Sequence, residues 1–214
     1  RFSETRRMVN DLFEQRKALQ AGSRGLKNLG NSCFMNSAIQ LVAHVPPFVS
    51  SVFSPSFDSA LPLSSSFSKL LKMIWEDKES QEVLSYIDPS FFRTIVGSLS
   101  EQFTNQQQQD PQEFLSLFLD GLHEELRIAS KGKQEDYSKH EEPQVNRDGP
   151  FSSLDEEIQQ KSIIAWETYI RDNKSIITDL FHGQLLSSLA CAHCKKILSF
   201  TFDPFVFLSL PIPT

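Results

Sequence analysis

An asparagine followed five residues later by a cysteine at the mouth of an amphipathic helix can carry nucleophilic chemistry, and Asn28 and Cys33 stand in that relation here. Phe34, Ala38, Leu41, Val42 and Val45 read as one helical face, and Pro46-Pro47 halts the pattern, so Cys33 falls in the first turn of a predicted helix. There the unpaired N–H groups and the positive helix end favour thiolate over thiol. The preceding GLKNLGNS places Gly25 and Gly30 on either side of Asn28, which lets the chain turn tightly and bring a side-chain amide near the thiol. That amide, with the first-turn N–H groups, can donate to the oxyanion of an acyl-transfer intermediate, typically worth about 3 kcal/mol for one donor. A lone cysteine on a helix is more commonly a buried small hydrophobe. From these residues alone both readings stand.

Cys191 and Cys194 form the second constellation. They bracket Ala192-His193 between two strand-like segments, which is the geometry of a zinc knuckle. A structural zinc takes four ligands, so the pair is half a site. His193 is a further donor in principle, although a residue inside the knuckle ordinarily points outward. The rivals are a redox pair, which belongs at a helix start after a strand rather than between strands, and two plain buried thiols. Three cysteines, one of them isolated, make no disulfide framework and fit a reducing compartment.

The chain of 214 residues, 39% hydrophobic, is long enough to bury a real core. Its net charge is -6 and its 21 basic residues are scattered, so no stripe offers counterions to a phosphate backbone and nucleic acid is not an expected partner. No run of about 18 apolar residues exists to span a bilayer, and the first residues lack the apolar centre of a signal peptide. The expected setting is soluble and intracellular, in cytoplasm or nucleus.

Around the chemistry, residues 1–22 read as a polar helical extension with Val9, Leu12, Phe13 and Leu19 on a thin stripe, and the main domain runs over 23–214. Residues 50–68 read as a loop, 67–75 and 90–99 as short helices. Asp110 is a good helix N-cap, Pro111 suits the first helical position, and Glu113 completes a capping box, so a helix begins there and buries Leu115, Phe118, Leu119, Leu122 and Leu126. The charged 130–160 segment reads as a mobile insertion. A helix is expected over 158–172, and 181–214 begins a β-rich region in which Leu198, Phe200 and Phe202 alternate and 205–210 form a second strand-like run.

Three ordered blocks then narrow the reading. GLKNLGNSCFMNSAIQ at 25–40 resembles the cysteine box of the ubiquitin-specific protease family, QQQDPQEFLSLFLDGLHEEL at 107–126 is similar to its QQDxxEF segment, and FHGQLLSSLACAHC with FDPFVFLSLPIP resembles its first zinc-knuckle strands. The wording DGLHEEL, DLFHG and TFDPF looks closest to the subgroup with a ubiquitin-like insertion in the catalytic domain. The resemblance implies an α+β, papain-like fold, represented by the N-terminal half of a catalytic domain: a mostly helical subdomain plus the first strands of the region that grips ubiquitin. It implies that Cys33 attacks the isopeptide carbonyl after the last glycine of ubiquitin and that Asn28 lines the oxyanion hole. It also implies that Gln108, Asp110 and Glu113 contact the ubiquitin tail, whose arginines suit carboxylates. Helix capping is the plainer role for Asp110 and Glu113, and one carboxylate can do both. Cys191 and Cys194 would supply half of a structural Zn2+ site.

Cysteine catalysis of this kind needs a histidine base. His44 lies about 16 Å along the Cys33 helix by helical rise, His123 reads as exposed among acidic residues, His140 falls in the polar insertion, His182 in the FHG block and His193 inside the knuckle. None sits in the glycine-rich, aromatic setting of the family's histidine box, so the base and its Asp or Asn partner are expected in the C-terminal half of the domain. The expected function is a deubiquitinating thiol hydrolase whose partners are ubiquitin, ubiquitinated proteins and that second half, and which is inactive as this chain alone. The alternative is a non-catalytic ubiquitin-binding scaffold.

Overall fold

The computed structural model describes residues 22, 24–54, 57, 61–75, 86–132, 156–194 and 197–211. The predicted N-terminal helix, residues 133–155 of the predicted insertion and His140 lie outside them. The chain divides into two compact units, residues 1–129 and 130–214.

In the first unit, β1 (Gly25–Leu26) leads to α1 (Cys33–Val42), α2 (Pro46–Phe53) and α3 (Pro62–Trp75). After them come β2 (Tyr86–Ile87), α4 (Ser90–Leu99), a 3-10 turn (Glu101–Phe103) and α5 (Pro111–Gly132). Aromatic packing makes the core: Phe34, Phe103 and Phe114 meet pairwise at 5.5–5.7 Å, and Phe118 continues from Phe114 to Phe67 and Phe92. All six rings are buried. The residue beside Cys33 therefore anchors α1 to both the 3-10 turn and α5.

α1 uses three faces differently. Phe34, Met35, Ala38, Ile39 and Val42 are buried. Leu41, predicted on that face, is instead 62% exposed, because it follows Cys33 and Ser37 at four-residue intervals on the solvent stripe. Val45 lies beyond the helix and is half-buried. Asn36, Gln40 and His44, also four apart, bind the incoming chain. Asn36 Nδ2 donates to the carbonyls of Leu26 and Lys27, Gln40 Nε2 to Arg24, and the His44 ring nitrogens lie 2.7 and 3.0 Å from the carbonyls of Gln40 and Gly22. Backbone acceptors that a two-residue strand leaves unpaired are satisfied by this ladder.

The proline pair ends α1 but also opens α2, since proline suits a first helical turn where its missing N–H is not needed. The predicted loop therefore begins after Phe53. α3 likewise starts at Pro62 rather than Phe67. Its first N–H groups find a cap distant in sequence: the Glu125 carboxylate accepts from Leu63 N at 2.9 Å and Ser64 N at 2.7 Å. α4 matches the predicted 90–99. β1 and β2 pair in parallel, extended by Lys27 N donating to the Ile87 carbonyl. Asp88 accepts from Ser90 N at the start of α4 and from Lys27 Nζ, both at 3.0 Å. The Lys27 hydrogen bond holds the Asp88 carboxyl below its ordinary range, and Asp88 reciprocally raises Lys27.

α5 begins at Pro111 as predicted, with Asp110 Oδ1 accepting from Gln112 N at 2.6 Å and Glu113 N at 3.4 Å. The reciprocal half of the capping box does not form. Glu113 Oε2 is turned instead to Gln102 Nε2, 3.5 Å away. Phe118, Leu119, Leu122 and Leu126 are buried, Leu115 only half so, and Phe114 takes the deep position.

The second unit contains α6 (Glu156–Asp172), α7 (Ile176–Phe181) and the antiparallel hairpin of β3 (Gly183–Ala190) and β4 (Ile197–Phe205). Ser175 caps α7 by accepting from Thr178 N. Gln184 of β3 accepts from Ser162 of α6 at 2.6 Å, and Tyr169 Oη lies 2.8 Å from His182 Nδ1. Pairing stops at Gly183 opposite Phe205, where a Cβ would come within 2.7 Å of the Phe205 ring, so the predicted run over 205–210 is not a strand beyond its first residue.

Candidate active site around Cys33

Cys33 is the first residue of α1 and its thiol is exposed, which removes the buried-hydrophobe reading. What presents it is the turn from Asn28 to Ser32. Gly30 (φ 87°) and Asn31 (φ 49°) both take the left-handed conformation, free for glycine and tolerated by asparagine. Asn28 Oδ1 sits inside this turn and accepts three hydrogen bonds at 3.1 Å, from Gly30 N, Ser32 N and Ser32 Oγ. Ser32 Oγ accepts in turn from Leu29 N at 2.8 Å.

This knot determines which way the Asn28 amide faces. Backbone N–H groups can only donate, so the atom they meet is the amide oxygen. Nδ2 is thereby held as the donor on the opposite edge of a fixed amide. Ser32, fully buried, is used up by the turn and makes no side-chain cap for α1. The first-turn N–H groups consequently keep their positive end beside the exposed thiol. A thiolate or an oxyanion is the charge such an arrangement favours.

The turn is tied to the glutamine-rich loop. Asn31 Nδ2 donates to the Gln106 carbonyl at 2.9 Å, and Arg93 of α4 donates from Nη1 to Leu29 O at 3.2 Å and from Nη2 to Asn105 O at 2.5 Å. Within that loop Gln109 Nε2 bonds Gln102 O and Asn105 Oδ1. Gln108, Asp110 and Glu113 remain exposed on the same unit as Cys33 and Asn28. Asn31, Ser32 and Arg93 were not read from the sequence. Ser32 and Asn31 carry a faint signal as the residues directly before the cysteine. Arg93 carries none, because its partners are 64 and 12 residues away.

Neither described histidine of the first unit hydrogen-bonds the thiol. His44, just past the far end of α1, faces the carbonyls of Gln40 and Gly22. His123, predicted to be exposed, has only 12% of its side chain accessible, and burial pushes its imidazole below the ordinary histidine range. In the second unit, Cys191 and the exposed Cys194 flank the turn between β3 and β4. The backbone N–H groups of Cys194 and then His193 hold the Cys191 thiol below its ordinary range. Among the described residues no group of three His, Cys, Asp or Glu side chains gathers around them.

Residues 24–211 match the family model described as ubiquitin carboxyl-terminal hydrolase. Ubiquitin carboxyl-terminal hydrolase 15 of Homo sapiens is 40% identical over 205 residues, and ubiquitin carboxyl-terminal hydrolase 4 of Mus musculus 35% identical over 205. Each alignment covers 91% of this chain and 19% of the relative, so the chain spans about a fifth of their length. Among solved structures, the SAGA Ubp8/Sgf11/Sus1/Sgf73 DUB module bound to ubiquitin aldehyde is similar at TM-score 0.57 and 18% identity, over 88% of this chain and 35% of that one. The Ubp8-Sgf11-Sgf73-Sus1 module without that ligand in its name is similar at TM-score 0.53 and 18% identity, over 89% and 36%. The structural likeness establishes the fold, α+β and papain-like.

Ser32→Ala tests the turn. Leaving a fully buried N–H without its acceptor costs about 1–3 kcal/mol, and the Leu29 N–H is partly buried, so Ser32→Ala is expected to lower unfolding free energy by about 1 kcal/mol in denaturant titration. An unchanged midpoint would mean that the turn does not depend on Ser32.

Proposed function

The chain belongs to the ubiquitin carboxyl-terminal hydrolase family, and on that premise we propose that it is the nucleophile-bearing part of a deubiquitinating cysteine protease. The observation that carries this reading is an exposed thiol at an uncapped helix start, five residues after an asparagine whose amide orientation three hydrogen bonds fix.

In the proposed reaction, the Cys33 thiolate attacks the carbonyl carbon of the isopeptide bond after the C-terminal glycine of ubiquitin. The C–N bond breaks as the lysine amine leaves with a proton, and a thioester remains on Sγ. Water then attacks the thioester, giving the ubiquitin carboxylate and regenerating the thiol. Asn28 Nδ2 and first-turn N–H groups donate to the oxyanion in both steps. The base is a histidine outside the described residues, from the length of the relatives that this chain does not span. Gln108, Asp110 and Glu113 receive the ubiquitin tail. Asp110 keeps its role as helix cap, since only Oδ1 is engaged with Gln112 and Glu113.

Cys191 and Cys194 would hold a structural Zn2+ together with two ligands from elsewhere in the protein, fixing the β3–β4 hairpin. Cytoplasm and nucleus are the proposed locations, in line with three unpaired cysteines.

Two measurements on the natural full-length protein test this reading. Cys33→Ala is expected to abolish cleavage of ubiquitin-lysine isopeptide substrates while ubiquitin still binds with its original affinity. Residual cleavage above a tenth of wild type would remove Cys33 as nucleophile, and a wild-type protein that binds ubiquitin without cleaving it would be a scaffold. Elemental analysis is expected to give one zinc per chain, lost in Cys191→Ser. Absence of zinc from the purified wild type would make the pair plain thiols.

A further inference from the structure

We propose that Arg93 is a positioning residue for the oxyanion donor, a role that rests on the reading of Cys33 as nucleophile and Asn28 as donor. Arg93 lies in the first turn of α4 and is half-buried. One arm of its guanidinium reaches Leu29 O and the other Asn105 O. Leu29 is the residue directly after Asn28 and is held at both ends, its N–H, in the Asn28–Leu29 peptide, by Ser32 Oγ and its carbonyl, in the Leu29–Gly30 peptide, by Arg93.

The clasp has a second strand. Asn31 Nδ2 reaches Gln106 O, one residue on from the Arg93 contact, so two side chains tie the 28–32 turn to the 105–106 backbone. The guanidinium itself is referenced to the sheet. α4 starts on Asp88, which also pairs with Lys27 just before Asn28. Lys27, Leu29 and Asn31, alternate residues around Asn28, are thus each held by a different partner. With the two successive peptides after Asn28 held and Oδ1 engaged, the Asn28 amide has one orientation available.

Lysine cannot substitute. Its ammonium is a point donor, whereas the guanidinium presents two N–H directions in one rigid plane at the separation of two carbonyls. Arg93 hydrogen-bonds Leu29 O and Asn105 O and not the thiol, so it acts through Asn28.

The test is a double-mutant cycle in the full-length protein, with steady-state hydrolysis of a ubiquitin C-terminal fluorogenic amide. Arg93→Lys is expected to lower kcat about tenfold, with KM within about threefold, because a misplaced donor is lost mainly from the transition state. In an Asn28→Asp background, which keeps an oxygen for the turn but has no Nδ2, the same change is expected to cost less than about twofold, since no donor is left to misplace. Iodoacetamide should alkylate Cys33 at the same rate in wild type and Arg93→Lys, its thiol being exposed in both. An equal loss in both backgrounds, as general loosening would give, overturns the proposal, and so does an unchanged kcat in Arg93→Lys. Absence of hydrolysis by wild type with normal ubiquitin binding would instead overturn the underlying reading of Cys33, a result separate from either.

Discussion

Everything at the Cys33 end of this protein hangs on one acceptor atom. Asn28 Oδ1 collects Gly30 N, Ser32 N and Ser32 Oγ, and in doing so closes a turn that two consecutive left-handed residues make possible. The closed turn delivers the chain to α1 with Cys33 as its first helical residue. Because Ser32 faces inward, the helix start stays uncapped, and because Oδ1 is engaged, Nδ2 is left as a donor of fixed direction. A nucleophile and the stabilisation of the charge it generates thus come from a single piece of local geometry.

Local geometry of this kind needs a rigid frame, and α1 is framed on two sides. Its apolar face enters a chain of phenylalanine rings that also holds the 3-10 turn and α5, so the Cys33 helix and the glutamine-rich loop share one core. Its polar face pairs with the carbonyls of residues 22–27 through Asn36, Gln40 and His44. The remaining stripe, Cys33, Ser37 and Leu41, is left to solvent. Apolar packing fixes where the helix lies, and the polar ladder fixes how the chain enters it.

What could be read from the sequence was what is decided locally. Cys33 at a helix start, the exact span of α4, Asp110 as a cap with Pro111 following, and strands around the C-x-x-C pair all depend on residues a few positions apart. The misreadings have a common origin in partners distant along the chain or in angle. Hydrophobicity predicts Leu41 inward, although its four-residue spacing from Cys33 turns it out. α3 starts ahead of the predicted Phe67 because its first N–H groups are capped by Glu125, distant in sequence. Arg93 was invisible because an arginine in an amphipathic helix carries no mark of the two loops it joins. The acidic neighbours of His123 predict a solvated ring, whereas its side chain is mostly covered.

Asn28→Asp in the full-length protein addresses the central claim directly. Aspartate keeps an oxygen for Gly30 and Ser32 but replaces the Nδ2 donor with a second acceptor, so the turn persists while the oxyanion loses its partner. The account predicts an unfolding midpoint and a ubiquitin affinity close to wild type, with kcat for ubiquitin amide hydrolysis reduced about 100- to 1,000-fold. A kcat within twofold of wild type, with the fold intact, would contradict it.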